Sequence, residues 1–268
     1  MVNKNIIYIK TPKCGSTSVK HQLLDYSRKH GMKVLDGATG FKNEHNLKSP
    51  YLSNLSKNNI FAQKHNNGNY NISLSHVTAT DDNISRLVNI MEKKDYLLIS
   101  SIREPLDRLI SNYMGTPHTP QWDKTEMGFT KWYLNNKDKN VKQIYGNLER
   151  FFPDFWMNNF LCNYLNIDIN SDDPLKKYDF ITITEHYSES MKNLSKLLGH
   201  DFKVEVKNET KPFNISELVV DCWGRPQGGI GIGKKFKLDD LSDEIKKMYR
   251  EDNSDDYKLY DMCLNRFL

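Results

Sequence analysis

Apolar positions in the first thirty residues change period once. Ile6, Ile7, Tyr8 and Ile9 form a short run; after a break at Thr11-Pro12, Val19, Leu23 and Tyr26 recur at helical spacing. The pattern predicts a buried strand, a tight loop and an amphipathic helix. Residues 31–69, rich in Asn, Lys, Gly and Ser, read mostly as loop, with a short strand at 59–63 and a turn at Asn66-Asn67-Gly68. Residues 70–77 (YNISLSHV) alternate as a strand does, with Ile72, Leu74 and His76 on one face by parity. Asp81 or Asp82 is placed to cap a helix with Ile84, Leu87, Val88 and Met91 on one side.

Residues 96–102 (YLLISSI) are a continuous apolar run, the mark of a parallel strand buried on both faces. Arg103-Glu104-Pro105 then opens a helix with Leu106, Leu109, Ile110 and Tyr113 as its buried stripe and Ser111 off it. Residues 115–150 read as an insertion over a site rather than core. A helical pattern at 151–165, a strand at 178–184, a helix at 187–198 closed by Gly199, a glycine-rich loop at 223–235 and a helical segment at 241–267 follow. Strands alternating with helices predict an α/β fold with a central parallel sheet flanked by helices. The 268 residues show no linker and no repeat, so a single domain, 1–268, is expected.

Charge and cysteines narrow the function classes. A net charge of +4 suits an anionic small molecule but is too weak and too evenly spread for nucleic acid. No run is long enough to span a membrane and no leader is recognisable, so a soluble, cytoplasmic protein is expected. Cys14, Cys162, Cys222 and Cys263 lack metal-ligand spacing, and no metal site is expected. Oligomeric state is not readable from the sequence.

The candidate chemistry lies in the first loop. Lys13-Cys14-Gly15-Ser16-Thr17-Ser18 sets a lysine, a glycine and three hydroxyls where a helix begins, an arrangement suited to a bound phosphate. Lys13 precedes the glycine, unlike the G-x-x-x-x-G-K-[ST] loop of nucleotide kinases. Cys14 reads as a small filler. Arg103 ends a central strand, on the side of the sheet where ligands of open α/β folds bind.

In order, PKCGSTSV, SHV, SIREPLDRLISNY, FITITEHYSESMKNLSKLLG and DDYKLY resemble the carbohydrate-type sulfotransferases that use 3′-phosphoadenosine 5′-phosphosulfate (PAPS), most closely the heparan sulfate 2-O-sulfotransferase-like branch. The likeness is absent at 34–69 and 115–150, where acceptor specificity would reside. It implies a P-loop-like sulfotransferase fold and a hydroxylated acceptor, a sugar or small metabolite. It implies that Lys13, Cys14, Gly15, Ser16, Thr17 and Ser18 surround the 5′-phosphosulfate and that Arg103 and Ser111 take the 3′-phosphate. His76 falls at the family's catalytic histidine, with Lys13 stabilising the leaving phosphate; where 2-O members carry His-x-His, this chain has Leu74-Ser75-His76. Nearby phosphates are expected to raise the His76 pKa. Glu44 and His118 are alternative bases, and 228–235 is either a surface loop or a lid. Two other readings stay open: a non-catalytic module binding PAPS or a sulfated glycan, and a P-loop nucleotide kinase.

Overall fold

β1 (Asn5–Ile9) is buried at every residue and has a parallel neighbour on each side, as a run with no polar alternation requires. The computed structural model describes residues 4–36, 69–115, 125–139, 143, 157–202 and 236–268. Among them, β1, β2 (Val34–Asp36), β3 (Ile72–Ser75), β4 (Tyr96–Ile102) and β5 (Phe180–Ile183) form one parallel sheet in the order β2-β3-β1-β4-β5. The chain runs from β1 to one edge, returns through β3, and crosses to β4 on the far side. The carboxyl end of β1 is therefore a topological switch point, where two connections diverge and leave a crevice. Flanking helices are α1 (Ser16–Lys29), α2 (Asp81–Asn89), α3 (Pro105–Gly115), α4 (Glu126–Asn136), α5 (Phe160–Leu165), α6 (Tyr187–Leu198), α7 (Asp243–Asp252) and α8 (Ser254–Phe267). The α/β class with a flanked parallel sheet is thus as expected.

Several elements differ from the sequence reading, each for a local reason. β2 lies in a stretch read as loop; its three residues are too few to show a period, and pairing with β3 makes the strand. α2 is capped by Thr80, whose extended backbone lets its hydroxyl accept from Asn83 N at 3.3 Å. Asp81 and Asp82 instead sit in the first turn, where the helix dipole favours acids. Within 115–150, α4 is core: Phe129, Trp132 and Tyr133 are buried against Tyr113 of α3 and Tyr249 of α7. The final helical segment breaks at Asn253, whose side chain accepts from Asn159 N at 2.8 Å and donates to Tyr249 O at 3.0 Å. The strand at 59–63, the turn at 66–68 and the loop at 228–235 lie outside the described residues.

Hydroxyls inside the sheet are bonded to one another. Tyr8 meets Ser101, Ser101 accepts from Thr182 at 2.7 Å, and Ser100 meets Thr11 at 2.9 Å. Such pairing removes most of the cost of burying them. The last helix packs on the sheet, with the Phe267 and Phe180 rings 5.5 Å apart.

Asp256 of α8 ties that helix to α5. It is fully buried and accepts from the backbone N–H groups of Leu161 and Cys162, each at 2.9 Å, at the start of α5. Burial raises its pKa; those N–H bonds and the charge of buried Arg108 oppose the rise. Asp256→Ala would strip two backbone donors and leave Arg108 without that carboxylate. A loss of about 3 kcal/mol in urea unfolding is expected; a loss under about 1 kcal/mol would mean that other groups balance Arg108.

Candidate active site

The loop between β1 and α1 turns back on itself through two left-handed residues, Lys13 at φ 66° and Gly15 at φ 64°. The conformation is natural for glycine and costs a lysine roughly 1–2 kcal/mol. Contacts around the loop offset that cost. Thr11 is tied to Ser100, Arg103 Nη1 donates to Lys13 O at 3.4 Å, and Cys14 N donates to Thr11 O at 3.4 Å. A Cβ on Gly15 would stand 3.3 Å from Thr184 Cγ2 and Oγ1, so the glycine also permits a close approach to the end of β5.

α1 starts without a side-chain cap and without an acid in its first turn, whereas α2, α4 and α7 have both. Its first N–H groups and the positive end of its dipole suit an anion. Gly15, Thr17 and Ser18 are exposed there, Lys13 is half-buried, and Ser16 and Cys14 are buried. Burial pushes the Cys14 thiol up to about 12, which disfavours the thiolate that a nucleophile needs.

Arg103 follows β4 and runs along the first turn of α3. Its Nε and Nη2 lie 2.7 and 2.5 Å from Asp107 Oδ2, and Nε is 3.9 Å from Glu185 Oε1. Ser111, four residues beyond Asp107, shares that face of α3 and is half-buried. The carboxylates are themselves held: Glu185 accepts from Glu104 N at 3.1 Å and Tyr260 Oη at 3.0 Å, and Glu104 accepts from Tyr257 Oη at 2.6 Å. Both tyrosines belong to the DDYKLY stretch, so α8 braces the edge of the site as well as the sheet. The sequence reading missed Glu104, Asp107 and Glu185; the signal available was a carboxylate just past two strand ends, with tyrosines three apart on the last helix.

His76 follows β3. Its Nδ1 is 2.8 Å from Lys10 O, and since a carbonyl only accepts, Nδ1 carries the proton and Nε2 is the basic nitrogen. Burial, then the charge of Lys10, hold the imidazole far below its ordinary pKa; the bond to Lys10 O opposes this and Lys20 adds to it. The shift runs opposite to the one expected from phosphates, because burial and the charges of Lys10 and Lys20 act on the ring. Lys10, only 4 % exposed, is a second group the sequence reading missed, hidden because lysine at a strand end reads as surface.

The fold therefore gathers the loop of residues 13–18, His76, Arg103 and Thr184 at the carboxyl ends of β1, β3, β4 and β5. Glu44, His118 and most of the 115–150 segment outside α4 lie outside the described residues. A family model described as the sulfotransferase family matches residues 2–261. The chain belongs to that family. It is a sulfotransferase, and its central parallel sheet agrees with the sulfotransferase fold. No curated protein matches it in a sequence search. Among the described residues, no group of three or more His, Cys, Asp or Glu is placed to hold a metal, and no helix is long and apolar enough to cross a membrane.

Gly15→Ala is expected to lower the melting temperature of the sulfotransferase by a few degrees, since it adds roughly 1–2 kcal/mol of backbone strain and a crowded contact with Thr184. Thermal unfolding measures this, and an unchanged midpoint would show that the loop does not depend on a left-handed residue 15.

Proposed function

We propose that this sulfotransferase moves the sulfuryl group of PAPS to a hydroxyl of a carbohydrate or similar small acceptor, with Lys13 and His76 as its catalytic residues. The observation that carries the reading is the convergence, around one strand end, of an uncapped helix N-terminus, an oriented arginine and a histidine fixed in its basic tautomer. The family match over residues 2–261 supports one sulfotransferase unit using the family's usual donor. The 2-O-sulfotransferase-like branch rests only on motif likeness; the second histidine of that branch is replaced by Leu74, a core residue.

In this reading the residues of the 13–18 loop and the α1 N–H groups bind the 5′-phosphosulfate, and Arg103 with Ser111 binds the 3′-phosphate. Arg103 supplies a planar fork already oriented by Asp107. The acceptor oxygen attacks sulfur, the bond from sulfur to the 5′-phosphate oxygen breaks, and its electron pair stays on that phosphate. Lys13 stabilises the charge that builds there, which favours the transition state over the ground state. His76 Nε2 takes the hydroxyl proton. No step requires a metal. The acceptor side is assigned to the 115–150 segment and residues 34–69, and a cytoplasmic setting remains the expectation.

Calorimetry tests the donor assignment. Adenosine 3′,5′-bisphosphate is expected to bind at least about tenfold more tightly than AMP, because each charge-assisted hydrogen bond to the 3′-phosphate contributes roughly 1.5–3 kcal/mol. Equal affinities would remove the PAPS reading.

The pH profile tests the base. The base must be neutral, and its pKa in the free enzyme is lowered, so its neutral form persists further into acid. kcat/KM for PAPS, which reports the free enzyme, is expected to stay level to below about pH 6, under the ordinary histidine value near 6.5. With PAPS bound, its phosphates favour the imidazolium, so the acidic limb of kcat should lie higher than that of kcat/KM. A folded His76→Ala protein should bind nucleotide almost normally but lose most turnover and the acidic limb. Near-wild-type turnover in that variant would move the role to Glu44 or His118.

A further inference from the structure

α5 carries none of the residues assigned above, yet its Tyr164 touches the edge of the site at two points. Tyr164 Oη donates to Lys10 O at 3.3 Å, the same carbonyl that accepts from His76 Nδ1 at 2.8 Å. The backbone carbonyl of Tyr164 accepts from Ala79 N at 2.9 Å, three residues beyond His76. Lys177 Nζ bridges Ala79 O at 3.1 Å and Asn166 O at 2.5 Å, joining the loop after β3 to the end of α5. The ring of Tyr164 is 1 % exposed and stacks on Phe160 at 5.2 Å, and the Arg108 guanidinium lies over the Phe160 ring, 4.0 Å from its centroid. Asp256 fixes the start of the same helix.

These contacts place Tyr164 at both supports of the His76 ring. The loop carrying His76 is pinned at Ala79 by the backbone of Tyr164, while the acceptor that His76 Nδ1–H needs is held in place by the Tyr164 hydroxyl. An imidazole without that fixed acceptor can exchange tautomers, and a histidine protonated on Nε2 presents no lone pair there.

We propose that Tyr164 is the positioning residue of His76: by sharing the Lys10 carbonyl and anchoring Ala79, it keeps the proton on Nδ1 and Nε2 basic. The inference rests on the reading of His76 as the base. Among the described residues, the titratable and charged groups facing this loop are Lys10 just after β1, Lys20 from α1, Tyr164 from α5 and Lys177 beyond it, with Asp81 at the start of α2. Among these groups, Tyr164 combines a hydroxyl hydrogen bond to Lys10 O with a backbone contact to the His76 loop.

Tyr164→Phe keeps the ring and its packing and removes the hydroxyl. The full-length variant is expected to lose kcat about tenfold with KM for PAPS within about twofold, a split that follows when positioning acts on the chemical step alone. Nitrogen-15 spectra of the His76 ring should show a single Nδ1–H form in the wild type at neutral pH and a mixture of tautomers in the variant. Wild-type protein with its proton on Nε2 would overturn the proposal without any variant. So would a Tyr164→Phe protein with unchanged kcat and an unmixed Nδ1–H ring. His76→Ala separates this from the parent reading: if that variant turns over normally the base assignment fails, whereas a dead His76→Ala beside a normal Tyr164→Phe sinks only the positioning role.

Discussion

The carboxyl end of β1 is the constraint on which the active edge depends. Because β1 lies between β3 and β4, its last residues have a strand end on either side, and the chain must leave the sheet there as a loop. Ile9 pairs with Ser75 on one side and Ser100 on the other, so His76 and the residues leading to Arg103 arrive at the same level. Below that level the sheet is filled with aliphatic side chains and a set of mutually bonded hydroxyls. Among the hydroxyls, Ser100 donates to Ile9 O at 2.9 Å and meets the Thr11 hydroxyl, so the loop is tied down at its root.

Charge at the edge is arranged to orient rather than to attract at long range. Arg103 is held against Asp107 and near Glu185; Glu185 is restrained by Glu104 N and Tyr260, and neighbouring Glu104 by Asp107 N and Tyr257. Three carboxylates beside an arginine lower the net positive field, which a phosphate site can tolerate when specificity comes from directed donors. The modest +4 of the whole chain fits that economy.

Elements whose signal lies in a handful of adjacent residues were legible in the sequence. β1, β4, α3 and α6 follow from apolar runs, from Pro105 and from Gly199. Lys13, His76 and Arg103 were placed at strand ends because each follows a strand. What could not be read depended on distant partners. β2 exists through its pairing with β3, α4 became core through α3 and α7, and Thr80 capped α2 through its own backbone angle. Lys10 is the sharpest case. A lysine two residues from a proline reads as solvent-facing, yet Lys10 is buried. The downward shift of His76 was hidden for the same reason, since the sequence suggested phosphates as neighbours and the fold supplies cations and burial.

Two carbonyls three residues apart express how β1 divides its labour. Lys10 O faces the β3 side and receives His76 and Tyr164; Lys13 O faces the β4 side and receives Arg103. In the proposed reaction the first side handles the proton of the acceptor and the second handles the anions of the donor. In-line transfer needs the attacking oxygen and the leaving oxygen on opposite sides of sulfur, and a single rigid turn that fixes one group set on each flank meets this need without moving parts. The left-handed Lys13 is what turns the chain between those flanks, so the strain it carries falls where the two halves of the chemistry must be held apart.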